Sequence, residues 1–167
     1  MRIRRMLLPL LFVCVLGGTV FLTLRLTAHY PVVGDAVSYP VNQLEGFSLS
    51  VEPPSFSPFR GYTIRYEIAI DSAEVYNLKQ EDKENFENLE WQIEGRWHRL
   101  KPQLGPTDHL WFSTDIGGEG TTGFYGSVVQ KYNGYGTRLE PGLYRLTIAL
   151  TGQDGTTHYL AAEFEIP

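Results

Sequence analysis

The last thirty residues limit what this chain can fold into more tightly than any other stretch. From Tyr144, every second residue is large and apolar (Tyr144, Leu146, Ile148, Leu150), and in a pleated strand that period puts all four on one face. Arg145, Thr147 and Ala149 then point the other way. Gly152-Gln153-Asp154-Gly155 supplies residues that accept positive φ, as a tight reversal requires. His158, Leu160, Ala162, Phe164 and Ile166 resume the period of two, with Glu163 and Glu165 opposite. The pattern predicts a β-hairpin with one apolar face, and that face needs cover from the upstream chain.

The best cover is Tyr62–Ile70, where Tyr62, Ile64, Tyr66, Ile68 and Ile70 share one face and Thr63, Arg65 and Glu67 take the other. Gly46–Val51 alternates and reads as the first strand, while the prolines at 53, 54 and 58 forbid regular pairing between the two, because proline lacks the ladder donor. Trp91 and Ile93, then Trp97 and Leu100, read as two short strands around a reversal at Glu94-Gly95-Arg96. Residues 109–114 and 124–130 read as further strands; 131–136 reads as a turn with exposed aromatics. Seventeen glycines and ten prolines punctuate the chain often enough for seven to nine short strands, with no soluble helix. Such a chain is all-β, and its alternating faces favour a two-sheet β-sandwich.

Met6 to Leu24 carries no charged residue, and as a helix it would be about 28 Å long, close to the thickness of a bilayer core. Arg2, Arg4 and Arg5 precede it and Arg25 follows, so the positive-inside rule puts the start in the cytoplasm and the rest outside. A cleaved secretory signal, with Gly17-Gly18 as the best cutting point, is the competing reading and leaves the domain on the same side. A lipoprotein reading would need Cys14 to follow a small residue, and Val13 precedes it. The expected organisation is therefore a signal-anchor or transmembrane segment over 1–28, a proline-broken linker over 29–44 and a β-sandwich over 45–167.

Charge and motifs exclude more than they select. Setting the four arginines around the apolar run aside leaves ten basic against nineteen acidic side chains, about −9, which repels nucleic acid. With Cys14 as the sole cysteine, the outer domain has no disulfide and no thiolate metal site. The charged run 78–90 matches no calcium loop and reads as a solvated segment; His98 has no second ligand nearby. Gly117–Gly123 lacks the lysine of a phosphate cradle. The four histidines accompany no Gly-x-Ser-x-Gly elbow and no His-Glu-x-x-His, so neither catalysis nor a cofactor is expected.

Three segments, Leu89–Leu100 (LEWQIEGRWHRL), Leu139–Leu146 (LEPGLYRL) and Tyr159–Ile166 (YLAAEFEI), together resemble the bacterial immunoglobulin-like domain of Gram-positive surface proteins, over roughly residues 45–167. The resemblance implies an immunoglobulin-like sandwich outside the cell, without a family-wide activity or cofactor, and with Trp97 in a core that has no disulfide beside it. The expected role is a non-enzymatic, membrane-anchored surface domain that meets an envelope protein or polysaccharide through its loops. The alternative is a carbohydrate-binding module that stacks sugar rings on Trp111, Tyr125, Tyr132 and Tyr135.

Overall fold

The computed structural model describes residues 30–58, 60–79, 87–102, 113–129 and 134–167. The 6–24 run, and with it the anchor or signal reading, lies outside them. Among the described residues there is no helix, and the chain forms eleven strands in two antiparallel sheets that enclose one core.

The carboxy-terminal hairpin is the centre of the larger sheet. Gly142–Thr151 (β10) and Thr157–Ile166 (β11) pair along their full length, from Gly142 opposite Ile166 to Thr151 opposite Thr157. On its other edge β10 meets Glu87–Ile93 (β6) at residues 144–148, then Val75–Lys79 (β5) at Thr151. Outward from β6 follow Arg96–Lys101 (β7) and Val32–Ala36 (β1); outward from β5 lies Ser113–Gly117 (β8). A two-residue reversal joins β6 to β7, with Glu94 at φ +50° and Gly95 at +76°, the left-handed pair a two-residue hairpin needs. In the smaller sheet Gly61–Ile70 (β4) is central, flanked by Phe47–Val51 (β2) and Ser55–Ser57 (β3) on one edge and by Gly123–Val129 (β9) on the other. The facing period-two rows make the core, with Tyr144, Leu146, Ile148 and Leu150 of β10 and Ile64, Tyr66, Ile68 and Ile70 of β4 all buried.

Two expectations change. The stretch read as a linker supplies β1, whose Val33 pairs with Leu100, and residues 37–42 then lie along the larger sheet. Prolines 53, 54 and 58 do not abolish pairing; they confine it to the three residues of β3, which they bracket. The outer face of β10 is covered as well: Arg145 is 6% exposed and Thr147 is fully buried. Its cover is Tyr39, stacked on Tyr159 with ring centroids 4.2 Å apart.

Asn42 ends this covering segment with a contact that protects an edge. Its backbone N–H donates to the Tyr159 carbonyl at 2.8 Å. Its side-chain oxygen accepts from the Ala161 N–H at 2.7 Å, and its amide nitrogen donates to the Ala161 carbonyl at 2.9 Å. One residue thus occupies part of the edge of β11 that a foreign strand would otherwise pair with. Its φ of +56° is one that asparagine tolerates and alanine resists. Asn42→Ala should cost about 2 kcal/mol, from two lost bonds and an N–H left without its partner. Urea unfolding would register this as a lower midpoint at unchanged slope, and Asn42→Asp, which keeps the acceptor for the Ala161 N–H, should recover about half.

Candidate functional site

The cross-strand register sets three aromatic rings side by side on the inner face of the larger sheet. Trp91 on β6 is opposite Tyr144 on β10, which is opposite Phe164 on β11. Trp91 and Tyr144 lie 5.8 Å apart and 5° from parallel; Tyr144 and Phe164 lie 5.9 Å apart at 21°. The row runs outward from the buried Tyr144 and ends at a half-buried Trp91. A Cβ on Gly142 would sit 2.8 Å from the indole Nε1, so only a bare backbone lets the ring lie where it does. The Tyr144 hydroxyl donates to the Glu140 carbonyl at 2.8 Å, and burial pushes this phenol well above its usual range.

Trp91 and Tyr144 wall one side of an open groove of about 480 Å³, completed by Tyr30, Pro31, Val33, Glu140 and Pro141. Its volume falls within the usual span of ligand clefts. Its lining is mostly apolar and aromatic, and Glu140 is the one lining residue with a carboxylate. What the lining offers is an apolar and aromatic contact surface. A second, polar groove of about 390 Å³ is lined by Glu74, Tyr76, Gln153, Asp154 and His158. Its carboxylates are engaged locally. Glu74 accepts from the Tyr76 hydroxyl at 2.7 Å, and Asp154 accepts from the Thr156 N–H and hydroxyl at 2.9 and 2.8 Å. Those bonds hold the Asp154 carboxyl below its usual range and mark it as a turn residue of the hairpin. Among the described residues no three His, Cys, Asp or Glu side chains converge as a metal site.

Of the aromatics expected to stack on sugar, two fall among the described residues, and of these Tyr125 stands in water. It lies on the outer face of β9 at 72% exposure, and its hydroxyl donates to Glu67 at 2.8 Å. Tyr135 is 1% exposed within the core, so its ring is no platform. Trp111 and Tyr132 lie outside the described residues. Trp97 also departs from its expected place: it is on the outer face of the larger sheet, with the Arg145 guanidinium 4.5 Å above its ring. Of the two described tryptophans, the one on the inner face is Trp91. Sequence reasoning placed Trp91 in a strand but missed the groove, because the groove needs Tyr30, Pro31 and Val33 from a segment taken to be a linker. No protein-family model and no curated protein sequence matches the chain.

Proposed function

We propose that the chain is a membrane-anchored, extracytoplasmic, immunoglobulin-like β-sandwich domain without catalytic activity, which acts by holding a surface toward an envelope protein or polysaccharide. The observation that carries this reading is how directly the fold follows the apolar run: Val32, the first residue of β1, comes eight positions after Leu24. A domain attached so closely works at the membrane surface and not at the end of a long tether. Its free outer face on the smaller sheet is polar, with Ser48, Ser50, Arg65 and Ser127 exposed around Tyr125. Arg65 and Glu52 pair there at 3.7 Å with both side chains 65% exposed, a contact worth little and readily exchanged for one with a partner.

The test combines alkaline extraction of membranes with protease treatment of intact cells stripped of their wall. The full chain should resist extraction and its carboxy-terminal epitope should be cleaved without permeabilisation. An epitope protected until the membrane is opened would overturn the reading. The exposed ring of Tyr125 beside Glu67 favours polysaccharide as the alternative contact. In that case Tyr125→Ala should abolish retardation of the protein in gels containing cell-wall polysaccharide.

A further inference from the structure

We propose that the end of the domain carrying Tyr30, Val32, Val33 and the Trp91 groove docks onto the lipid interface of the membrane that holds residues 6–24; this rests on the anchor reading above. Five large apolar side chains among the described residues are strongly exposed, and three of them, Tyr30 at 42%, Val32 at 47% and Val33 at 41%, fall within four consecutive positions. Tyr30 and Val33 line the groove together with Pro31, Trp91 and Pro141, and Val32 lies between them in sequence, on the same edge strand as Val33. Tyrosine and tryptophan beside aliphatic residues are the composition that partitions into the headgroup zone.

Chain length decides which surface this patch can meet. Leu24 and Tyr30 are six residues apart, so even a fully extended connection spans at most about 20 Å. The headgroup zone on one side of a bilayer takes up about 5–8 Å of that. Tyr30 therefore starts at or just above the interface, and the apolar patch on both sides of it is the part of the domain nearest the lipid. The opposite end of the hairpin, at Gln153, is separated from Tyr144 by nine residues of strand and turn, about 25–30 Å along the sheet. Contact should not need anionic lipid, because the domain is itself acidic and Glu140 lines the groove.

The experiment uses the full chain with Cys14→Ala, reconstituted in phosphatidylcholine vesicles, and an environment-sensitive fluorophore on Val32→Cys, Val33→Cys or, as the distal control, Gln153→Cys. Lipids brominated near the headgroup end of the acyl chain should quench the labels at 32 and 33 several-fold more than the label at 153. Equal quenching at all three sites, in a chain that still resists alkaline extraction, would overturn the docking while sparing the anchor. Labels at 32 and 33 that are shielded from aqueous quencher but untouched by brominated lipid would show a protein there instead, a second copy or another partner, and would equally overturn it. A chain released by alkaline wash would remove the anchor reading and the docking together.

Discussion

Glu90→Ala is expected to destabilise the domain by about 3–5 kcal/mol, the usual penalty for removing one partner of a buried ion pair. Glu90 is fully buried and its Oε2 accepts from Arg145 Nε at 2.6 Å. Its other oxygen accepts from the Tyr39 hydroxyl and, at 3.3 Å, from Thr147 Oγ1. The Arg145 guanidinium has the Trp97 ring at 4.5 Å and the Tyr39 ring at 5.6 Å, so without Glu90 it keeps aromatic faces but loses the buried carboxylate it is bonded to. Against the roughly 5–15 kcal/mol of an ordinary domain, that loss removes a large share of the folded population's margin. Arg145→Met combined with Glu90→Leu and Tyr39→Phe should return most of it, since apolar replacement of a whole buried pair is commonly neutral or better. Urea unfolding of the single and triple variants separates the two contributions. If Glu90→Ala unfolds at the parent midpoint, water reaches the cluster and the residues 37–42 do not seal it.

That cluster marks the limit of what the sequence discloses. The period of two along Tyr144–Leu150 and Tyr62–Ile70 was enough to identify the rows that meet in the core, because burial of alternate apolar side chains leaves a direct trace in residue type. Arg145 and Thr147 leave no such trace: a polar residue beside another buried polar residue reads the same as one in water. Their burial depends on Tyr39, between Ser38 and Pro40, in a segment with no period of its own. Trp97 shows the same limit in miniature. It is three residues from Leu100, an odd spacing that sends the two to opposite faces, so Leu100 is buried at 1% while Trp97 lies under Arg145. The aromatic groove was half legible. The run Leu89, Trp91, Ile93 fixes the side on which the indole lies, but only β1 pairing with β7 supplies the other wall.

Between about pH 4.5 and pH 7 the domain should lose up to about 3 kcal/mol of stability as the pH rises, and Glu87→Gln should abolish that loss. Glu87 is on β6 opposite Ile148, on the same inner face as Leu89. Burial raises its carboxyl from the usual 4.5 to about 7, and the Tyr66 hydroxyl, which donates to its Oε1 from the smaller sheet, pulls it part of the way back. Tyr66 can reach across because its cross-strand neighbour is Gly126; a Cβ there would lie 2.2 Å from the phenol ring. The folded state thus holds a proton on Glu87 over a range in which the unfolded chain has released it. The stabilisation is complete below the unfolded pKa and is gone once the pH has risen through the folded one. Glutamine keeps an acceptor for Tyr66 and never ionises, so the two proteins should unfold together at acid pH and diverge between about pH 4.5 and pH 7, with Glu87→Gln the more stable by a constant margin above that. Urea midpoints taken at intervals from about pH 4 to pH 8 test this directly, and parallel curves would mean that Glu87 is solvated as a carboxylate and the two sheets are not joined through it.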